Sequence, residues 1–233
     1  MQSGPGILAH MDEPLLDAIE IKPARSATAA VIWLHGLGAD GHDFEPLIPQ
    51  LGIVEALGVR VLLPHAPRLP VTINGGMVMP AWYDIRVPDF GQAEDADGIR
   101  ASARRLEALI ERETARGISP DRIVLAGFSQ GGAIVLHAGL RHAERLGGIL
   151  ALSTYLPLAE LLPDERSAAN ADIPIMQAHG RQDPLIPLAL ASASRDRLQA
   201  LGYRVNGRTY PMPHAVCPAE VVDIRDWLAS VLQ

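Results

Sequence analysis

The segment Gly-Phe-Ser-Gln-Gly at residues 127–131 places a serine at the centre of the spacing G-x-S-x-G. In this motif the serine lies on a sharp turn between a strand and a helix, which exposes its hydroxyl group for nucleophilic attack. The flanking glycines have no Cβ at the point where the two backbones come close together. Residues 122–126 are typical of a buried strand and residues 132–138 of a helix. This context favours Ser129 as a nucleophile over a serine in an ordinary glycine-rich turn.

A serine nucleophile requires a base, and in this architecture the serine, the acid and the histidine follow one another along the chain. Four of the eight histidines precede Ser129 and do not fit this order, namely His10, His35, His42 and His65. His137 and His142 lie on or just after the helix that follows Ser129, where a surface role is favoured. His179 comes before the candidate acid. His214, in a loop after the last predicted strand, is therefore the predicted base.

The acid is predicted from the same order along the chain. Asp183 follows a predicted strand, whereas three other acidic residues before His214 lie in a polar connecting segment, namely Asp164, Glu165 and Asp172. The alternative for Asp183 is a turn-capping role before Pro184. In the catalytic interpretation, the Ser129 hydroxyl attacks an acyl carbon, His214 accepts and returns the proton, and Asp183 holds the imidazole in the required tautomer. This chemistry requires no metal and no cofactor.

A second glycine-rich segment, residues 36–41, follows a predicted strand and has the spacing G-x-G-x-x-G. A dinucleotide site with this spacing needs an acidic residue at the end of the next strand, and residues 59–65 contain none. An oxyanion hole is favoured instead, with the backbone N–H groups of Leu37 and Gln130 as donors. A metal site is a third interpretation, disfavoured because the H-E-x-x-H spacing is absent. Its ligands would be His35, Asp40, His42 and Asp43.

Composition and charge restrict the class of protein. The chain has 233 residues, of which 48% are hydrophobic and 20% charged, and we expect residues 1–233 to form a single domain. The 20 basic and 27 acidic residues give a net charge of −7 without a basic cluster, which argues against a nucleic-acid partner. Cys217 is the one cysteine and favours a reducing compartment, so a cytoplasmic location is expected. We expect no signal peptide, because residues 1–13 lack a positive n-region and an apolar stretch of sufficient length. We expect no membrane-spanning segment, because no apolar run approaches about 18 residues.

Short apolar runs alternate with amphipathic segments along the chain, which predicts an α/β fold. The candidate strands cover residues 19–23, 30–34, 59–63, 122–128, 148–152, 173–178 and 203–210. One helix is predicted from Asp97, which would cap it, to Gly117, which would end it, and a packing helix is predicted at the C-terminus. Residues 64–88 form a proline-rich excursion in which residues 74–76 could close a hairpin. Long loops of this kind are usually functional, so the excursion is the candidate wall of a substrate pocket.

Seven short segments carry a resemblance that covers nearly the whole chain. They are residues 34–38, 64–67, 70–76, 79–85, 127–133, 179–184 and 210–214. Taken together and in this order, they are far more specific than any one of them. The chain resembles the acyl-protein thioesterase and lysophospholipase-like carboxylesterase family, which is the phospholipase/carboxylesterase group of the α/β-hydrolases.

This resemblance implies an α/β-hydrolase fold, with a mostly parallel central sheet of about seven strands and helices on both faces. It implies a serine hydrolase without a cofactor that acts on carboxylic esters or thioesters through Ser129, Asp183 and His214. By the same resemblance, the excursion around residues 69–82 corresponds to an acyl-binding tongue. Leu69 and Trp82 are therefore expected to line the substrate pocket, with a buried core position as the alternative for Trp82.

Two positions differ from the family pattern and bear on substrate preference. Pro213 stands where a glycine often precedes the catalytic histidine, and Arg181 could place a positive charge near the pocket rim. We expect substrates with short to medium acyl chains. Acyl-protein thioesterase, lysophospholipase and peptidase activities use the same triad and stay open as alternatives, as does a non-catalytic binding protein of this fold.

Two further expectations concern single features of the chain. Chain order argues against Cys217 as a nucleophile, and a role as a small buried hydrophobe is favoured. The proline-rich excursion is apolar, and if it is exposed it could serve as a homodimer surface.

Overall fold

The computed structural model describes residues 15–87 and 93–233. Within these ranges the strands are β1 (Ala18–Ile21), β2 (Ala29–Leu34), β3 (Val59–Pro64), β4 (Arg68–Val71), β5 (Met77–Pro80), β6 (Ile123–Phe128), β7 (Gly148–Leu152), β8 (Ile175–Gly180) and β9 (Val205–Tyr210). The α-helices are α1 (Ile48–Leu51), α2 (Ile53–Leu57), α3 (Ala96–Ala115), α4 (Gln130–Gly139), α5 (Leu162–Glu165), α6 (Leu188–Ala200) and α7 (Pro218–Val231).

Seven of the strands form one sheet, in the order β1-β3-β2-β6-β7-β8-β9. Every neighbouring pair is parallel except β1 and β3, which run antiparallel. Strands β2, β7 and β8 are buried along their whole length. This burial explains why β2 and β7 are continuous apolar runs. The predicted class, an α/β fold with a mostly parallel sheet of about seven strands, is confirmed.

Helices cover both faces of this sheet and bury two separate apolar clusters. On one face, α3 and α4 pack against side chains such as Ile32, Leu125 and Ile149. On the other face, α1, α2 and α7 pack against Val31 and Val124. Alternate residues of one strand thus enter opposite clusters, as strand geometry requires. Packing on both faces holds the strands in place, so the loops that follow the strands start from fixed positions.

The boundaries of α3 differ from the predicted ones at its start. The residue that precedes the helix is Asp95, so Asp97 lies in the first turn, where its charge complements the helix dipole instead of capping the helix. Gly117 follows the last turn with a φ of +91°, a left-handed conformation that suits the predicted stop. Within the described ranges, no helix combines the length and apolar character needed to cross a membrane.

The segment that follows β3 forms a small antiparallel hairpin outside the main sheet. Strands β4 and β5 pair with Val71 opposite Met77. The turn between them contains Gly75 and Gly76, whose φ values of +67° and +77° are readily adopted by glycine alone. Pro88, the last residue of the predicted excursion, lies outside the described residues, as do residues 1–13.

Candidate active site

Ser129 lies in the tight connection between β6 and α4, with φ +55° and ψ −120°. This conformation is strained for a residue with a side chain, and such strain is concentrated at functional sites. A Cβ at Gly127 would collide with the carbonyl oxygen of Gly131, and one at Gly131 would lie 2.5 Å from the carbonyl oxygen of His35. The glycines therefore allow α4 to approach both its own strand and the end of β2. The Ser129 N–H donates to the Leu152 carbonyl at 2.8 Å, which ties the turn to β7.

Asp183 and His214 come from neighbouring loops at the same edge of the sheet. Asp183 follows β8 and His214 follows β9, and the His214 Nδ1 lies 2.6 Å from the Asp183 Oδ2. The Asp183 side chain is completely buried, and its Oδ1 accepts the N–H groups of Leu185 and Ile186, each at 2.9 Å. Because one carboxylate oxygen is held by the backbone, the other is directed at the imidazole.

The loop that carries His214 is joined to the loop that carries Asp183. The Arg181 N–H donates to the Tyr210 carbonyl at 2.8 Å, and the Gln182 N–H donates to the Met212 carbonyl at 3.1 Å. A Cβ at Gly180 would collide with the carbonyl oxygens of Met212 and Pro213. Glycine at the end of β8 is therefore what lets the Pro213 loop approach so closely.

Ser129 and His214 line the same cavity, which has a volume of about 680 Å³. The Phe128 ring, next to the serine, packs against the His214 imidazole with ring centroids 4.7 Å apart. The cavity thus brings together the predicted nucleophile and the predicted base, and Asp183 lies behind the imidazole. A substrate in this cavity would contact the hydroxyl group and the imidazole at once.

Leu37 and Gln130, the predicted oxyanion donors, line this cavity as well. Gln130 is the first residue of α4, and the opening N–H groups of a helix have no acceptor within the helix. Two hydrogen bonds hold the loop around Leu37 in place. The Gly38 N–H donates to the Pro80 carbonyl at 2.8 Å, and the Ala39 N–H donates to the Gly36 carbonyl at 3.3 Å. Two backbone donors from separate elements are therefore available beside Ser129.

The Gln130 side chain links this turn to the segment after the hairpin. Its Oε1 accepts the Trp82 N–H at 2.8 Å, and its Nε2 donates to the Tyr83 carbonyl at 2.7 Å. The Trp82 indole N–H in turn donates to the His35 carbonyl at 2.8 Å. These three hydrogen bonds are buried, so they position the pocket wall and the end of β2 relative to Ser129.

The expectation that Leu69 and Trp82 line the pocket differs from the structure. Trp82 is 1% exposed and directs its polar atom at the His35 carbonyl, so it packs behind the pocket wall and does not face the cavity. Leu69 lies in β4, opposite Met79, and does not border the cavity either. The segment after β4 contributes other side chains to the wall, namely Ile73, Asn74, Tyr83 and Ile85.

His179 is part of the site, although chain order excluded it as the base. Its Nε2 lies 2.9 Å from the Ile186 carbonyl, which requires the proton on Nε2, and 3.4 Å from the Asp183 Oδ2. Burial lowers the pKa of His179, so the ring is a neutral donor beside the carboxylate. The sequence feature that could have identified His179 is its position four residues before Asp183, at the end of a buried strand.

The other interpretations of the glycine-rich segment do not fit the geometry. Gly41 begins a 3-10 turn of three residues, too short to present a helix N-terminus to a pyrophosphate. Two of the four candidate metal ligands have other partners: the His35 Nε2 accepts the Ala66 N–H at 3.1 Å, and the His42 Nδ1 lies 2.8 Å from Glu45. In the described part of the chain, no three histidine, cysteine or acidic side chains are grouped closely enough to hold a metal ion.

Glu220 lies in the first turn of α7, which begins directly after the loop that carries His214. Its side chain is buried, and this burial raises the pKa of Glu220 to about 7, against the opposing effect of the Cys217 N–H. Cys217 itself is half-buried and precedes the helix. The folded protein therefore binds a proton at Glu220 more tightly than the unfolded chain does.

We expect Glu220→Gln to stabilise the protein at alkaline pH. A carboxyl group with a raised pKa contributes stability below its ordinary pKa of 4.5 and loses it as the pH rises through about 7. The variant should match the wild type near pH 4 and exceed its free energy of unfolding by about 3 kcal/mol at pH 9. Denaturant unfolding at both pH values measures the difference, with Glu144→Gln at an exposed position as the control. Equal pH dependence in the wild type and Glu220→Gln would contradict the expectation.

Comparisons with known proteins agree with this arrangement. The model of the phospholipase/carboxylesterase family matches residues 17–232. Acyl-protein thioesterase 1 of Gibberella zeae is 40% identical over 220 residues, which cover 90% of this chain and 94% of the relative. Acyl-protein thioesterase 1 of Neurospora crassa is 44% identical over 217 residues, covering 88% and 87%.

A solved structure extends the similarity to the fold. Acyl-protein thioesterase 2 of Zea mays is 28% identical with a TM-score of 0.83, covering 93% of this chain and 99% of that one. The span matched by the family model contains Ser129, Asp183 and His214.

Proposed function

The chain belongs to the phospholipase/carboxylesterase family of α/β-hydrolases, and we propose that it hydrolyses its substrates through a covalent acyl intermediate on Ser129. Membership of the family makes it a hydrolase of ester bonds. The observation that carries the proposal is the 2.6 Å contact between the His214 Nδ1 and the buried Asp183 Oδ2, at the edge of the cavity that Ser129 lines. A carboxylate in this place keeps the proton on Nδ1 and leaves Nε2 free to act as the base.

The proposed reaction has two half-reactions. The Ser129 Oγ attacks the acyl carbon while the His214 Nε2 takes its proton, and the N–H groups of Leu37 and Gln130 stabilise the negative charge on the carbonyl oxygen. As the tetrahedral intermediate collapses, His214 returns the proton to the leaving alcohol or thiol. Water then attacks the acyl-serine with His214 again as the base, which releases the carboxylic acid and regenerates the hydroxyl group.

Labelling with a fluorophosphonate probe tests this proposal. The probe should form a stable adduct with the wild type at Ser129, located by peptide mass analysis, because its phosphoryl centre takes the place of the acyl carbon. His214→Ala should label far more slowly, because the hydroxyl group then lacks its base. The absence of an adduct on folded wild-type protein, or an adduct on another residue, would overturn the proposal.

Thioesters are proposed substrates alongside carboxylic esters. Relatives at 40% and 44% identity are named acyl-protein thioesterases, which supports a thioester of an acylated protein as the natural substrate class. The cavity is bordered mainly by apolar side chains such as Ile73, Ile85 and Leu185, as an acyl group requires. Values of kcat/KM for a matched ester and thioester of the same acyl chain distinguish the two classes. The kcat/KM for a lysophospholipid tests the lysophospholipase alternative.

The setting of the enzyme is proposed from two features. Its single, unpaired cysteine supports a reducing compartment such as the cytoplasm, which cell fractionation would test.

The hairpin exposes Met77 to 63% and Val78 to 52%, and an apolar surface of this kind supports association of two copies into a homodimer. Sedimentation equilibrium measures the mass in solution, and a monomer at high concentration would exclude the dimer.

A further inference from the structure

Two buried tyrosines meet in the wall of the catalytic cavity. The Tyr83 and Tyr155 hydroxyl groups lie 3.0 Å apart, and both residues are 3% exposed. Both line the cavity that contains Ser129. They come from different parts of the chain, Tyr83 from the segment after the hairpin and Tyr155 from the segment after β7. Their hydrogen bond joins these two segments.

Tyr155 has a fixed position relative to the nucleophile. The neighbouring Thr154 hydroxyl donates to the Ser129 carbonyl at 2.7 Å. Ser153 and Leu158, on either side of Tyr155, have φ values of +46° and +48°, which residues with side chains adopt only where their surroundings hold them there. Tyr83 is fixed as well, because its carbonyl accepts the Gln130 side chain at 2.7 Å. The tyrosine pair is therefore part of the framework of the site.

A second pocket lies on the other side of Tyr155. It has a volume of about 360 Å³, and we call it the rear pocket. Its apolar lining includes Tyr155, Leu156, Leu158, Leu161, Leu190 and Ala193. Polar groups stand around it, among them the Glu94 carboxylate, which accepts the Leu158 N–H, and the ion pair of Arg197 with Glu160 at 3.0 Å. Tyr155 is the residue that the rear pocket shares with the catalytic cavity.

We propose that Tyr83 and Tyr155 form the end wall of the acyl-binding cavity and set the longest acyl chain that the enzyme accepts. This inference rests on the proposed function and names its substrate class, esters or thioesters of short to medium acyl chains. An acyl chain longer than the cavity would have to displace the two tyrosines or fold back towards solvent. In either case apolar contacts between the chain and the protein, or around the tyrosine rings, would be lost. Removal of the Tyr155 ring would join the cavity to the rear pocket and give a long chain a continuous apolar path.

The test compares kcat/KM for p-nitrophenyl esters of four to sixteen carbons. For the wild type, the ratio of the sixteen-carbon to the four-carbon ester should be well below one. Tyr155→Ala should raise this ratio by about tenfold or more, since each additional methylene group that gains apolar contact contributes severalfold. Tyr155→Phe keeps the ring and should keep the wild-type ratio. Tyr155→Ala combined with Leu190→Trp, which fills the rear pocket, should return the ratio towards the wild-type value.

The outcomes separate this inference from the proposed function. A wild type that hydrolyses none of the esters contradicts the proposed function itself. A wild type that hydrolyses the four-carbon ester, together with a Tyr155→Ala variant whose ratio is unchanged, overturns the end wall alone. A wild type that prefers the sixteen-carbon ester also overturns it. Tyr155→Leu, which keeps part of the apolar volume, provides the same comparison if circular dichroism shows that Tyr155→Ala does not fold.

Discussion

Replacement of Ser129 with alanine should lower kcat for a p-nitrophenyl ester by about 10⁶-fold. This loss corresponds to about 8 kcal/mol of transition-state stabilisation. Without the hydroxyl group no acyl-enzyme forms, and hydrolysis would require direct attack of water on the ester. The residual rate should still exceed that of the uncatalysed reaction, because the oxyanion donors at Leu37 and Gln130 are unchanged.

Ser153→Ala is the matched control for this experiment. Ser153 is also fully buried, also follows a strand of the sheet, and also has a positive φ of +46°. Among the described residues its hydroxyl group has no hydrogen-bond partner, so its removal should leave kcat close to the wild-type value. Stopped assays with highly purified protein are needed to measure a loss of this size. Loss of less than about tenfold in folded Ser129→Ala would exclude this serine as the nucleophile.

The sheet and the tight turn at Ser129 could be predicted from sequence because their signals are local. A buried parallel strand such as β7 is an uninterrupted apolar run, and its predicted bounds, 148–152, match the structure. The turn at Ser129 needs glycine on both sides for steric reasons. A Cβ at Gly127 would collide with the nearby Gly131 carbonyl, and a Cβ at Gly131 would collide with the end of β2. Chain order then selected Asp183 and His214, whose loops the parallel register of β8 and β9 brings side by side.

The pocket wall could not be predicted in the same way. Trp82 and Tyr83 are adjacent in the chain, yet Trp82 turns to the His35 carbonyl and Tyr83 to the cavity. Which of two neighbours faces the substrate depends on the contacts each finds in the folded chain, and sequence periodicity contains no such information in an irregular segment. Tyr155 was missed for the same reason, because it contacts Tyr83, which is distant in sequence. Glu220 was missed because its raised pKa comes from burial in the folded chain.

Replacement of Asp183 with asparagine should lower kcat by about 10⁴-fold while the protein stays folded. The N–H groups of Leu185 and Ile186 require an acceptor at the Oδ1 position, so the asparagine oxygen should stay there. Its NH₂ group then faces the His214 Nδ1, which accepts a hydrogen bond and leaves the proton on Nε2. In this tautomer the imidazole cannot take the proton of the Ser129 hydroxyl.

The position of Asp183 makes this variant more informative than alanine. Alanine would leave the N–H groups of Leu185 and Ile186 without this acceptor. For the buried Ile186 N–H alone this costs about 1 to 3 kcal/mol and mixes loss of stability with loss of activity. Asparagine keeps both hydrogen bonds, so its Tm should stay near that of the wild type while kcat falls. Asp172→Asn, at an exposed residue paired with Arg145, is the control and should keep full activity. If folded Asp183→Asn retained most of its kcat, another carboxylate would have to orient the base. In the proposed arrangement the Asp183 Oδ2, 2.6 Å from the His214 Nδ1, orients the base. Full activity of Asp183→Asn would therefore refute this arrangement.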